Sequence, residues 1–152
     1  MARVTERDLG YNAIRAQLRM AGGMEVAVGI LAGSENEGHP IAEYAADNEY
    51  GTDRIHSRPF MRTAFDENRA DIQADFTKQS MGLLQGKRTA HQTLTIIGQK
   101  QADRIKNTIT DRDFLPRLSP VTVARKKGSE KTLVDTGAMV NAVQISVRAK
   151  TA

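Results

Sequence analysis

Asn48-Glu49-Tyr50-Gly51-Thr52, followed after four residues by Ser57-Arg58-Pro59-Phe60-Met61-Arg62, is the stretch that organises this chain. Gly51 suits the left-handed residue that ends a helix, and Pro59 suits the first turn of the next one. Between them runs an irregular connection. Beyond Pro59, Met61, Phe65, Ile72, Phe76 and Leu83 recur at spacings that place them on one helical face. Unbroken from Pro59 to Leu84, that helix would be roughly 40 Å long. Gly82 and Gly86 weaken its end. The stretch is a turn feeding a long amphipathic helix, and it carries no catalytic pattern.

Upstream, Pro40 opens a short helix from Ile41 to Asn48. Gly33 to His39 reads as a polar, glycine-bounded, flexible loop. Met24, Val26, Val28 and Ile30 alternate with Glu25, Ala27 and Gly29, which predicts a strand. Glu6 to Met20 predicts a helix, with Thr5 as N-cap, Asp8 as capping-box acid and Gly22-Gly23 as its stop. Downstream, Leu94, Ile97, Ala102, Ile105 and Ile109 form the stripe of a helix from Thr89 to Ile109. Ser119-Pro120 starts a short basic helix reaching about Lys127. Leu133 to Gly137 begins a turn or a single helical turn, and Val143, Ile145 and Val147 alternate as a last strand. The expected fold is α+β, a small, mostly antiparallel sheet packed by two long helices with flexible loops, in one domain over residues 1–152. Two strands make a marginal sheet. Either a further strand is hidden, or neighbouring subunits complete the sheet.

The 152 residues are 39% apolar, 26% charged and only 5% aromatic, with no Trp and no Cys. The core must rest on aliphatic residues and four Phe, and a core this lean often gains stability from oligomerisation. Disulfides and thiolate metal sites are excluded. The charged start of the chain predicts no signal peptide, and no apolar run reaches membrane-span length. The net charge of +4 is unevenly spread. Ser34 to Asp53 holds Glu35, Glu37, Glu43, Asp47, Glu49 and Asp53 and no Lys or Arg. Arg112 to Lys131 is basic, with Arg112, Arg117, Arg125, Lys126, Lys127 and Lys131 against Asp113 and Glu130. These are solvated loops, complementary patches of a repeated subunit contact, or a face toward nucleic acid.

His39, His56 and His91 lack metal-ligand spacing, and no glycine-rich phosphate loop or nucleophile elbow occurs. Carboxylates such as Asp66-Glu67 read as solvated helix surface. Leu133-Val134-Asp135-Thr136-Gly137-Ala138 resembles the active-site loop of retroviral-type aspartic proteases. Those enzymes need strands and a flap after the loop, and this chain has too few residues left to build them. The local reading is a turn capped by Asp135 or Thr136. The expectation is a protein without enzymatic activity or cofactor.

The order of landmarks resembles the small head–tail joining, neck and tail-completion proteins of long-tailed bacteriophages. In that family a strand ends in V-G-[IV], here Val28-Gly29-Ile30. An Ala-rich helix then ends N-E-[FY]-G-T, here Asn48 to Thr52, after Ala45-Ala46-Asp47. I-P-x-R-P-F-[LM]-R follows, here Ile55 to Arg62. Pro120-Val121-Thr122 with Arg125 and Lys126 precedes L-[VI]-D-T-G-x-[ML], here Leu133 to Met139. His56 departs from the family's proline, which loosens the turn. The resemblance implies a structural virion protein that forms a ring of six or twelve subunits around a DNA channel. Its partners would be head-closure, connector, tail-terminator and tail-tube proteins. It would reside in the virion neck or tail, and in the host cytoplasm during assembly.

Ring contacts join one surface to a different one on the next subunit. The acidic 34–53 and basic 112–131 segments are candidates for such a pair. Glu49, Tyr50, Arg58, Phe60 and Arg62 are expected at a subunit interface or pinning the loop. Arg58 suits a bidentate carboxylate contact, with Glu49 reachable within or across subunits. Phe60 begins the apolar stripe and reads as core. Lys100, Arg104, Lys106, Arg125, Lys126 and Lys127 are candidates for a basic interface or for channel walls making transient, non-specific DNA contact. The alternative is a sequence-independent nucleic-acid-binding module, which the scarcity of aromatic platforms opposes. Reversing the charges of Lys126 and Lys127 is expected to separate the two by assembly or by DNA affinity.

Overall fold

The computed structural model describes residues 7–126 and 131–151. In chain order the elements are α1 (Tyr11–Gly22), β1 (Met24–Ile30), β2 (Glu35–Asn36), β3 (His39–Pro40), α2 (Ile41–Tyr50), α3 (Phe60–Glu67), α4 (Arg69–Leu84), α5 (Ala90–Asp111), α6 (Pro120–Arg125), α7 (Ala138–Asn141) and β4 (Val143–Ala149). The fold is α+β, as expected. β1 and β4 pair antiparallel, with Val26 opposite Val147, Val28 opposite Ile145 and Ile30 opposite Val143. On the other face, Arg148 Nε donates to Glu25 at 2.8 Å.

A two-stranded sheet needs a helix to hold it, and α5 supplies one. Its Gly98 lies so close to the sheet that a Cβ there would stand 2.5 Å from Val26 Cγ2 and 3.4 Å from Ile145 Cγ2. α5 opens with a full capping box. The Thr89 hydroxyl accepts the Gln92 N–H at 3.2 Å, and the Gln92 amide oxygen accepts the Thr89 N–H at 3.0 Å. The core gathers around the C-terminal half of α5, where Ile105 and Ile109 meet Ile41, Ala45, Phe60, Ala64, Phe114, Leu133, Met139 and Val143.

The long helix expected from Pro59 to Leu84 is two helices. Asn68 leaves helical geometry at φ −109° and ψ 17°, and its side-chain amide donates to the Ala64 carbonyl at 2.9 Å. The break divides the apolar stripe. Leu83 is buried, whereas Phe65 and Phe76 stay 50% and 42% exposed. They line a small apolar cleft with Val26, Val28 and Ile72.

Other boundaries also differ from expectation. Gly33 to His39 is more than a loop. Glu37 and Gly38, both at positive φ, form the two-residue turn of the β2–β3 hairpin. α1 begins only at Tyr11, because Gly10 is left-handed at φ 104° and the Asp8 carboxylate accepts the Gly10 N–H at 2.9 Å. The proposed cap Thr5 lies outside the described residues. α6 ends at Arg125, short of Lys127, and opens as expected on Ser119, whose hydroxyl accepts the Thr122 N–H at 3.2 Å.

Candidate functional site

The turn between α2 and α3 is closed by backbone and by one carboxylate. Gly51 ends α2 as expected, but not in the left-handed helical conformation: it sits at φ 80° and ψ 164°, a region essentially closed to other residues. A Cβ there would also meet Ser57 N at 3.0 Å and Ile55 O at 3.1 Å. The Ser57 hydroxyl returns to the Glu49 carbonyl at 2.9 Å, and the Arg58 N–H donates to the Asn48 carbonyl.

Pro59 precedes α3 and has no side chain able to cap it, so the free N–H groups of its first turn need another acceptor. Glu49 provides it from α2. Its carboxylate accepts the Met61 N–H at 2.9 Å and the Arg62 N–H at 3.2 Å, while only 5% exposed. The helix dipole favours a negative group at this position. Arg62 adds a longer contact at 3.7 Å from a side chain 59% exposed.

Within the chain, Glu49 and Arg58 do not pair directly, which leaves the expected contact only across subunits. Arg58 is 8% exposed and donates from Nη1 to the Asn48 side chain at 3.4 Å, while its Nε has no partner. Burial pushes the guanidinium pKa below its ordinary value. Phe60 is fully buried in the core. Of the five residues expected here, Tyr50 and Arg62 are the ones that face solvent.

The basic candidates divide in the same way. Lys100 and Arg104 both clamp Asp75 from α5. Hydrogen bonds from Lys100 and then Arg104 hold the Asp75 carboxyl below the usual carboxylate range. Arg104 is thus committed to the α4–α5 contact rather than open to a channel. Lys106 is half-buried and Arg125 exposed.

Lys126 turns inward. Its ammonium donates to the carbonyls of Lys131 at 2.6 Å, Thr132 at 3.3 Å and Val134 at 2.7 Å. Burial pushes its pKa down, Asp135 opposes that, and Arg58 reinforces it. Lys127 lies outside the described residues. Reversing Lys126 would remove all three of these hydrogen bonds, so a loss of assembly or of DNA affinity could follow from the altered turn alone.

Lys126 also lines a cleft of about 260 Å³ with Asn36, Tyr44, Asn48, Asp135 and Thr136. The acidic 34–53 stretch and this end of the basic segment are neighbours within one chain. In the aspartic-protease-like loop, Gly137 is left-handed and the Thr136 hydroxyl accepts the Ala138 N–H at 3.4 Å, a local turn. Among the described residues no three His, Asp or Glu side chains converge as metal ligands. No described helix is long and apolar enough to cross a membrane.

Two contacts escaped sequence reasoning, the Glu49 cap and the Asp75 clamp. Both are carboxylates on helices, and on a helix the expected place for a carboxylate is the solvated face. A glutamate ten residues before the Pro59 that opens α3 is the only signal for the first. The clamp has none beyond the Lys100 and Arg104 spacing. Compared with known proteins, the chain matches no family model, and no curated protein or solved structure shows detectable similarity to it.

Proposed function

We propose that this chain is a structural protein that works by assembling, a ring component at the head–tail junction of a long-tailed phage in a neck or tail-completion role. The observation that carries this reading is the rigid corner at Glu49. The two most specific landmarks, N-E-Y-G-T and R-P-F-M-R, close on each other through its carboxylate and bury Phe60 beneath them. The motifs thus have a shared architectural purpose, the fixed angle between α2 and α3. The resemblance rests on these residues. A small sheet in which each strand has one edge unpaired among the described residues, with a lean aliphatic core, also suits a subunit completed by its neighbours.

The test is the mass of the purified protein by light scattering over a concentration series, with negative-stain imaging of the same sample. Rings with a central hole are expected. A chain that stays at 16.7 kDa at every concentration would count against self-assembly. Duplex DNA binding by that monomer would favour the nucleic-acid-binding module instead.

A further inference from the structure

One end of the molecule carries cations with no carboxylate of its own. Between Asp8 and Glu25, and again between Asp75 and Asp103, the chain contains no carboxylate side chain. These two stretches are α1 and the α4–α5 hairpin, and they pack on each other. Ile14 faces Gly86, and the Gln17 side-chain oxygen accepts the Ala90 N–H at 2.8 Å. Together they form a tip on which Arg15, Arg19, Lys78 and Lys87 are exposed. None of the four pairs with a carboxylate among the described residues. Leu18, Met20, Met81 and Leu84 are exposed on the same tip.

The acidic stretch lies toward the other end. α2 joins the core beside Ile105 and Ile109, while α1 sits at Ala90. The separation along α5 is therefore roughly 20 Å at 1.5 Å per residue. There Glu35, Glu43 and Asp53 are exposed and Asp47 half-buried, again without a cationic partner among the described residues. Tyr50, 75% exposed, adds apolar surface beside them.

We infer that the basic tip of α1 and the α4–α5 turn docks on the acidic 35–53 surface of a second copy of this chain. This rests on the assembly reading above and supplies its contact. Two different surfaces at opposite ends give a heterologous, head-to-tail interface, the kind that closes into rings. A second copy is favoured over nucleic acid by two features. The tip interleaves its cations with aliphatic side chains, and the matching acidic surface is on the same chain. Lys126, expected in this role, is spent inside its own subunit.

The test uses two full-length variants. The tip variant carries Arg15→Glu, Arg19→Glu and Lys87→Glu, and the face variant carries Glu35→Lys, Glu43→Lys and Asp53→Lys. All six positions are exposed, and circular dichroism confirms folding of each. Each variant alone repels its own kind and is expected at the 16.7 kDa mass of one chain. An equimolar mixture restores both complementary contacts and is expected to regain the wild-type mass. Raising salt from ~0.1 to ~1 M shortens the screening length from ~10 to ~3 Å and should dissociate wild type and mixture alike.

Variants that assemble like wild type overturn this interface and leave the ring reading standing. Folded monomeric variants that fail to co-assemble overturn the pairing of these two surfaces. A wild type monomeric at every concentration removes both. A tip variant that keeps its oligomeric mass but loses affinity for a random-sequence DNA duplex assigns the tip to nucleic acid instead.

Discussion

Replacing Glu49 with alanine removes the acceptor of two N–H groups at the start of α3, bonded at 2.9 and 3.2 Å in a site 5% exposed. Hydrogen bonds to a charged partner contribute about 1.5–3 kcal/mol each, and losing a helix cap costs up to about 2 kcal/mol. These figures overlap, because both count the same two bonds. Releasing the buried carboxylate also returns part of its desolvation cost. The net loss is therefore about 2–3 kcal/mol. With a urea slope of about 2 kcal/mol per M, the midpoint should fall by about 1–1.5 M. Glu49→Gln keeps an acceptor oxygen and loses the charge, so it should cost about 1 kcal/mol. Arg62→Ala should cost under about 0.5 kcal/mol, since Arg62 reaches Glu49 only at 3.7 Å from a side chain 59% exposed. Urea melts of the three variants decide the matter. A Glu49→Ala midpoint within error of wild type, or one equal to that of Arg62→Ala, would refute the cap as the element that fixes α3.

Gly51→Ala forces a side chain into φ 80°, ψ 164° and against Ser57 N at 3.0 Å, and should cost about 1–3 kcal/mol in thermal melts. Gly98→Ala sets two effects against each other, a helix-propensity gain of about 1 kcal/mol and overpacking of about 1–3 kcal/mol against Val26 at 2.5 Å. The clash should win because Val26 is a stiff, β-branched residue on a strand paired along its edge with β4; a stabilised variant would show that the sheet slides freely on α5. Asp75 has its pKa depressed below 3.8, so its clamp contributes stability at neutral pH and loses it as the pH falls through the lowered value. Asp75→Asn should be less stable than wild type at neutral pH, with a gap that narrows in strong acid; a constant gap from neutral to strongly acid pH would show that the ionised clamp contributes nothing.

Period two made β1 and β4 legible, because alternation reports a face buried on one side wherever the partner lies. The α5 stripe was legible for the same reason, and Ser119 and Gly51 marked helix ends through chemistry local to each. The α3–α4 stripe misled. Its spacings continue through Asn68, yet Asn68 departs from helical geometry and its side chain bonds the backbone, so Phe65 and Phe76 stay partly exposed despite their register. Lys126 looked like surface because lysine usually is, and three carbonyls from the 131–134 turn outweigh that tendency.

By itself, the sequence determined the α+β class, the two pairing strands, the long α5 and the clustering of acids from Ser34 to Asp53. All of these depend on interactions within a few residues or on which face is apolar. Tertiary structure alone decided that Glu49 caps α3 and that Asp75 draws in Lys100 and Arg104. It also brought together the two carboxylate-free stretches, separated by some fifty residues of chain, as one basic tip. Periodicity specifies that a face is covered without naming what covers it. Charge counts along the chain likewise leave open which charges become neighbours until α1 packs on the α4–α5 turn.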